Sequence, residues 1–526
     1  MTMTDDTKTQ FVEELLDSIF PSPGLTIKGR RANRSLNERR AQLARELPIE
    51  ELPRFLDGIM EHSERLPEAI VQSSLESVAS VLAGRDEFAD GFGPGEVDTV
   101  VRLYEQTQKS SNLRCIWLAW LAQIATRDSL KKWNLLMEQD PPQNDQGIVR
   151  AISPLAKNGD LPGEFYEQLF SGAFQHPKLA PIALDLTNFQ VRTKLITQHP
   201  ARSKAAALTL LLNETVNQLE RIESGQIASD YPPERLRDIV NDSLALVFSL
   251  CDTLALCGHR EAEGSLRRAL GLRHRRVQTE AASALARLGF VEGRGQLVQL
   301  AAEPFVRLRV LAYADELDMI DEIAESLRDE LAIAEAKLAS WLAEQSQFGV
   351  APSKIQMIDQ REQYWPSYEH PVLCFLFQFS YGTGPEAFQN FGLVGPLVHA
   401  FPTDIRWLGT DDVYAAFAGW QAEHPEIYEL PFEQAQQHHP QVVRPRISML
   451  KAREYAEVEP VLLGHLLGDW ILVAAATKDG SEGFAMTDGN TVHWFGNNEQ
   501  QPVDASFAYM IYRGRRMLQA FNEEMS

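Results

Sequence analysis

Cysteine is scarce in this chain of 526 residues: Cys115, Cys251, Cys257 and Cys374 are scattered, each among apolar neighbours. No Cys-x-x-Cys pair occurs, so neither a zinc site nor a thioredoxin-type couple is expected. An isolated Cys in such a setting reads as a small buried hydrophobe. Long apolar runs are missing too. No stretch supplies the ~18–20 apolar residues that a membrane span needs. The opening stretch Met1–Gln10 is polar and carries acids, where a signal peptide has a basic start and an apolar run. Basic charge is in deficit: 50 Lys and Arg against 73 Asp and Glu leave a net charge of −23. Such a chain repels phosphate backbones and anionic lipid surfaces, so nucleic-acid and membrane partners are not expected. The default location is the cytoplasm. Strand-type alternation is nearly absent before residue ~350.

What is present is helix after helix. Ser243–Cys257 ends at Gly258 and Val277–Leu288 ends at Gly289. Shifted by 31 residues, Leu254, Ala255, Cys257 and Gly258 fall on Leu285, Ala286, Leu288 and Gly289, and Leu266 falls on Leu297. A fixed period of this size marks stacked helical repeats. One repeat cannot bury its own apolar face, so neighbours must stack to make a core. First helices of each pair are expected to begin near Ser35, Pro67, Ser111, Gln146, Pro177, Ser203, Asp242, Arg275 and Pro304. Trp117, Trp120 and Leu121 share one helix face and read as core.

Val277-Gln-Thr-Glu-Ala-Ala-Ser-Ala-Leu-Ala-Arg-Leu-Gly289 resembles the short HEAT-like repeats seen in phycobilisome lyase proteins. Their pattern runs Val-Arg-x-x-Ala-Ala-x-x-Leu-x-x-Leu-Gly, followed by a second helix with spaced leucines. Gln278 stands where the family has Arg. Val306-Arg307 restores the pair, while Val310-Leu311 replaces the two alanines and Asp318 the glycine. The likeness implies an α-solenoid. Bilin-lyase-like handling of a tetrapyrrole would follow only by family analogy, because the motif is a packing motif with no catalytic residue to carry over.

The pattern changes after residue ~345. Ile355–Asp359, Val372–Tyr381 and Phe388–Val394 read as strands, rich in aromatic and β-branched residues. Asp411–His424 reads as a helix capped by Thr410 or Asp411. Trp470–Ala476, Gly483–Met486 and Thr491–Phe495 form a meander with turns at Lys478-Asp-Gly480 and Asp488-Gly-Asn490. A helix over Ser506–Phe521 follows. Six of nine tryptophans lie between Trp341 and Trp494, as a second core would require. The expected fold is therefore mainly α: an N-terminal arm (1–34), a HEAT-like α-solenoid of about nine helix pairs (35–345), and a smaller α+β domain with antiparallel strands (350–526). The arm holds a short amphipathic helix on Phe11, Leu15, Leu16, Ile19 and Phe20, suited to capping the first repeat, then a basic run from Lys28 to Arg34.

Two constellations invite a function. Arg267, Arg268, Arg273, His274, Arg275 and Arg276, with Arg307 and Arg309, make a local positive group in an acidic chain. A guanidinium fork matches carboxylate and phosphate, so this group suits a phosphate group or an acidic segment of a protein partner, unless nearby acids pair with it internally. His399, Asp404, Trp407, Trp420 and His424 cluster in sequence around a strand-to-helix passage, where a pocket could place His and Asp as base and orienter. No nucleophile elbow or Gly-rich phosphate loop accompanies them, so no catalytic residue, metal ligand or cofactor is assigned. The leading expectation is an interaction scaffold. The alternative is a small-ligand or enzymatic module in the C-terminal domain.

Overall fold

The computed structural model describes residues 5–21, 30–142, 145–174, 178–226, 232–344, 346–382, 384, 387–422, 428–466, 468–497 and 503–522. The chain is mainly α with an α+β part that carries antiparallel sheets. It divides into two compact units, Met1–Leu297 and Val298–Ser526.

In the first unit α1 (Asp5–Ile19) precedes a series of helices. These are α2 (Arg30–Glu46), α3 (Leu52–Glu61), α4 (Ala69–Ala83), α5 (Pro94–Gln106), α6 (Leu113–Ile124), α7 (Arg127–Gln139), α8 (Asp145–Ala156) and α9 (Gly163–Ala173). Then come α10 (Leu179–Arg192), α11 (Ala205–Glu223), α12 (Pro233–Leu256), α13 (Glu263–Leu270), α14 (Arg275–Arg287) and α15 (Val291–Leu300), inside which the division falls. The helices form two rows. Each even-numbered helix from α2 to α14 packs on the next even-numbered one. In the other row α1, α3, α5, α7 and α9 pack in succession, the turn 200–204 links α9 to α11, and α11 packs on α13. Alternation between rows is what a stack of helix pairs produces. Val12, Leu15, Ile19 and Phe20 of the first segment are buried, and α1 packs on α2, α3 and α4. Lys28 and Gly29 lie outside the described residues, and Arg30–Arg34 belong to α2.

Two expected registers change. Ser203 does not open a first helix: α11 is the partner of α10 in the second row. The helix expected from Asp242 begins at Pro233, an N1 proline that suits a helix start. Against the expectation that no stretch is apolar enough for a membrane span, α12 is long and apolar enough, by length and composition, to cross one. Within the unit it packs on α10, α11 and α14, and its Asp252 pairs with Arg192 of α10.

The repeat motif has a structural job for its second position. Arg307 lies in α16 (Pro304–Glu316); its Nε donates to the Ala301 carbonyl at 2.8 Å. Gln278, which replaces Arg one repeat earlier, donates from Nε2 to the Leu272 carbonyl at 2.7 Å, again six residues back. Each side chain satisfies a carbonyl left open at the end of the preceding helix.

The second unit is a duplicated module. Its first copy is α17 (Glu330–Leu342), β1 (Lys354–Gln363), β2 (Val372–Tyr381), β3 (Phe388–Val394), β4 (Val398–Ala400) and α18 (Thr410–Gln421). β5 (Tyr428–Pro431) and α19 (Phe432–His438) intervene. The second copy is α20 (Pro440–Ala452), β6 (Ala456–Leu466), β7 (Asp469–Lys478), β8 (Ser481–Thr487), β9 (Val492–Gly496) and α21 (Ala505–Asn522). Both sheets are antiparallel meanders, β1-β2-β3-β4 and β5-β6-β7-β8-β9. Registers match: Phe375 to Val394 through Tyr381 to Phe388 corresponds to Leu472 to Thr487 through Lys478 to Ser481. β2 and β7 bury the same positions apart from the first residue.

α18 and α21 pack on each other between the sheets, covering Cys374 and Leu376 of one and Ile471 and Val473 of the other. On the outer face of the first sheet, α17 covers Phe375, Phe377 and Phe379. On that of the second, α20 covers Ala474 and Ala476. A Cβ on Gly419 would lie 2.0 Å from the Met510 carbonyl oxygen, and one on Gly514 would lie 1.6 Å from that of Ala415. The two glycines are equivalent, as are Ala415 and Met510, so the contact is reciprocal, as in an isologous interface. α18 is capped by Gly409, and Thr410 and Asp411 sit inside its first turn. α17 thus belongs with the sheets, upstream of the expected start at 350.

Candidate binding surfaces

The arginine group is largely spent on internal partners. Arg267 of α13 pairs with Glu263 at 2.9 Å and Glu292 at 2.8 Å. Arg268 reaches back to α11, where it holds Glu220 at 2.6 Å and donates to Asn213 and Asn217. Arg273 is exposed, and its backbone N–H donates to Glu223 at 2.9 Å. Arg275 donates to Gln278, and Arg276 lies 4.4 Å from the Phe248 ring centroid. His274 caps α14 by accepting the Val277 N–H, and burial pushes its pKa down. Arg307 is not a surface cation: it is 3% exposed, forks onto the Ala301 and Ala332 carbonyls and pairs with Glu335 at 2.7 Å. Arg309 lies over the Tyr313 ring. The guanidiniums of Arg267 and Arg268 therefore bring little uncompensated charge to their surface.

The C-terminal cluster separates into two parts. His399 on β4 stacks on Trp420 of α18, with centroids 3.9 Å apart and planes 16° apart. Trp341, Phe401 and Phe417 complete its ring of neighbours. Burial pushes its pKa down to about 4, so the imidazole is neutral at pH 7. Asp404 is engaged elsewhere. Its carboxylate accepts from Arg406 Nε at 3.0 Å and Nη2 at 2.8 Å, and its carbonyl accepts from Trp407 Nε1 at 3.1 Å. This carboxylate is held below its ordinary pKa by the Arg406 hydrogen bonds. The base-and-orienter arrangement expected of His399 and Asp404 is not formed, because aromatic rings surround the one and Arg406 takes the other. His424 lies outside the described residues. His439 precedes α20 and packs on Trp470. Among the described residues no group of three His, Cys, Asp or Glu side chains is placed to hold a metal ion.

A third place was not expected from the sequence. Between α7 and α9, in the second row of the first unit, lies a cleft of about 450 Å³. Leu130 and Phe165 supply apolar walls, Arg127 and Lys131 positive charge, Asp128 and Glu164 negative charge, and Asn134 and Gln168 polar atoms. Both helices begin here. Thr126 caps α7, accepting the Ser129 N–H, but α9 starts after Pro162 with no side-chain cap. Helix N-termini carry partial positive charge, about half an elementary charge each. Arg127 pairs with Glu164 across the cleft, whereas Lys131 has no ion pair among the described residues. Asn134 is 6% exposed and donates from Nδ2 to the Phe165 carbonyl at 3.2 Å. Its Oδ1 is buried without a partner. A buried acceptor left open costs about 1–3 kcal/mol.

No protein-family model matches the chain, and no curated protein matches it. The sequence signal for the cleft was slight: Thr126 as a cap, and Pro162-Gly163 opening the next second-row helix.

Proposed function

We propose that this protein is a cytoplasmic interaction scaffold whose helical stack docks a protein partner through an acidic segment. The observation that carries the reading is the α7–α9 cleft, where Lys131 and the uncapped start of α9 lie beside apolar Leu130 and Phe165. An acidic side chain placed there meets the Lys131 ammonium, which has no ion pair among the described residues, and the N-terminal end of α9, which has no side-chain cap. The α13–α14 arginines offer less, since half-exposed pairs already neutralise Arg267 and Arg268 and contribute only ~0–1 kcal/mol each.

The test uses full-length protein as bait in three forms: unaltered, Lys131→Glu and Arg275→Glu, each checked for folding by circular dichroism. Chemical cross-linking and peptide mapping identify the contact on both sides. The reading expects a partner cross-linked at α7–α9 through an acidic peptide, retained by Arg275→Glu and lost by Lys131→Glu. A partner retained by Lys131→Glu and lost by Arg275→Glu moves the surface to the arginines. Retention by both sinks an electrostatic docking site in this unit.

A further inference from the structure

The duplication of the second unit leaves one asymmetry. β1 is an edge strand of its sheet, with nothing paired to its outer side among the described residues. Its counterpart β6 is not an edge, because β5 lies along it, pairing Tyr428 with His465 through Pro431 with Leu462. The registers fix the equivalence. Leu462, Leu463, Gly464 and His465 face Val473, Leu472, Ile471 and Trp470 of β7. Asp359, Gln360, Arg361 and Glu362 face Leu376, Phe375, Cys374 and Leu373, the corresponding residues of β2. The stretch Asp359–Glu362 is therefore the place where the same module, in its other copy, accepts an added strand.

We propose that the outer edge of β1 takes an extended segment of a protein partner as an added antiparallel strand, apolar with an acid opposite Arg361. The register of β5 supplies that pattern: Glu429 stands opposite Gly464, the equivalent of Arg361, between Tyr428 and Leu430. The edge offers a row of open backbone donors and acceptors. Arg361 lies over the Tyr414 ring and is held by Asp359 at 2.5 Å and Asp411 at 2.6 Å; Asp411 is 87% exposed, so an incoming acid competes with Asp411 for one side of the guanidinium. Toward the other end of β1, Met357 and Ile358 are each 40% exposed. Met357, Phe377 and Leu331 line a groove of about 210 Å³ that can receive a side chain of a longer segment. This inference concerns the second unit and does not depend on the α7–α9 reading.

The test adds a synthetic peptide in trans to the full-length chain: the sequence of residues 426–433, Glu-Ile-Tyr-Glu-Leu-Pro-Phe-Glu. Saturable binding is followed by fluorescence anisotropy and the site by hydrogen exchange. The expected result is slowed exchange over Lys354–Gln363. Arg361→Glu weakens binding by roughly three- to tenfold, the effect of reversing one cross-strand charge pair. A peptide with Arg in place of the Glu that follows its Tyr, the position of Glu429, restores binding to that variant and weakens binding to the unaltered chain. A peptide N-methylated at alternate amides does not bind. The proposal is overturned if exchange over Lys354–Gln363 is unchanged, or if slowing is confined to Ala456–Leu466. It is overturned as well if sedimentation shows a dimer in which β1 is already protected, which would make a second copy the occupant.

Discussion

At the scale of single residues, His199 shows how this fold sets a protonation state. Its Nδ1 accepts the Ala201 N–H at 3.1 Å, so the ring proton sits on Nε2, which donates to Asn188 Oδ1 at 3.0 Å. Both ring nitrogens are committed to the neutral tautomer, and the residue is 3% exposed. Burial pushes its pKa down to about 4, with Asp252 opposing weakly. The unfolded chain binds this proton near pH 6.5 and the folded chain does not. Stability from this site is therefore complete above pH 6.5 and is lost as pH falls toward 4, by about 3 kcal/mol at most. Hydrogen exchange of α10 and α12 at pH 7 and pH 4.5 measures it. The unaltered chain should lose more protection on acidification than His199→Gln, and parallel losses would refute the assignment.

At the scale of elements, the clearest dependence is on the helix pair at the centre of the second unit. α18 and α21 approach so closely that neither Gly419 nor Gly514 has room for a methyl group. Both sit against backbone carbonyls, which cannot rotate away as a flexible side chain can. Gly419→Ala and Gly514→Ala should each destabilise the unit by about 2 kcal/mol or more, through forced separation of the helices. Gly295→Ala in α15 meets nothing within 4 Å, and should be neutral or stabilising by about 0.5–1 kcal/mol. Thermal midpoints of the three variants decide this, and equal midpoints would mean that the helices slide apart freely.

The same elements show what could be read from sequence. β2 was legible because Phe375, Phe377 and Phe379 fill the face under α17. β7, β8 and β9 were legible through their Asp-Gly turns, where Asp479 and Gly480 both take positive φ. β6 was missed because Pro460 and two register shifts interrupt its alternation. α20 was missed because Pro445 lies inside it. The duplication escaped notice because the second copy uses alanines where the first uses phenylalanines, so register and burial persist while side-chain volume does not. Phe391 and Phe484, Val398-His399-x-Phe401 and Val492-His493-x-Phe495, and Tyr414-x-x-Phe417-x-Gly419 and Tyr509-x-x-Tyr512-x-Gly514 carry it in plain residues. At the candidate sites, sequence found charged residues but could not assign their partners. Arg307 looked like a surface cation and proved to be a tie between helices.

At the scale of the whole molecule, the helical pattern continues past the point where the second core begins. Composition places the change of character near residue 350, yet α17 ends at Leu342 and packs its Ala334, Leu338 and Leu342 on the phenylalanine face of the first sheet. Phe377 and Phe379 are 1% and 0% exposed under that cover. Burying one such ring is worth about 1.5–3 kcal/mol, so removing α17 from Phe375, Phe377 and Phe379 costs roughly 5–8 kcal/mol by the same scale. That loss is comparable with the entire stability of an ordinary domain, about 5–15 kcal/mol. A fragment of residues 298–526 should therefore fold cooperatively and stay monomeric. A fragment of residues 350–526 should bind a hydrophobic dye and aggregate, although it contains every strand. Light scattering and near-ultraviolet circular dichroism separate these outcomes. If the shorter fragment is monomeric with a sharp unfolding transition, α17 is a passenger of the helical stack, and the duplicated module reduces to its strands and the α18–α21 pair.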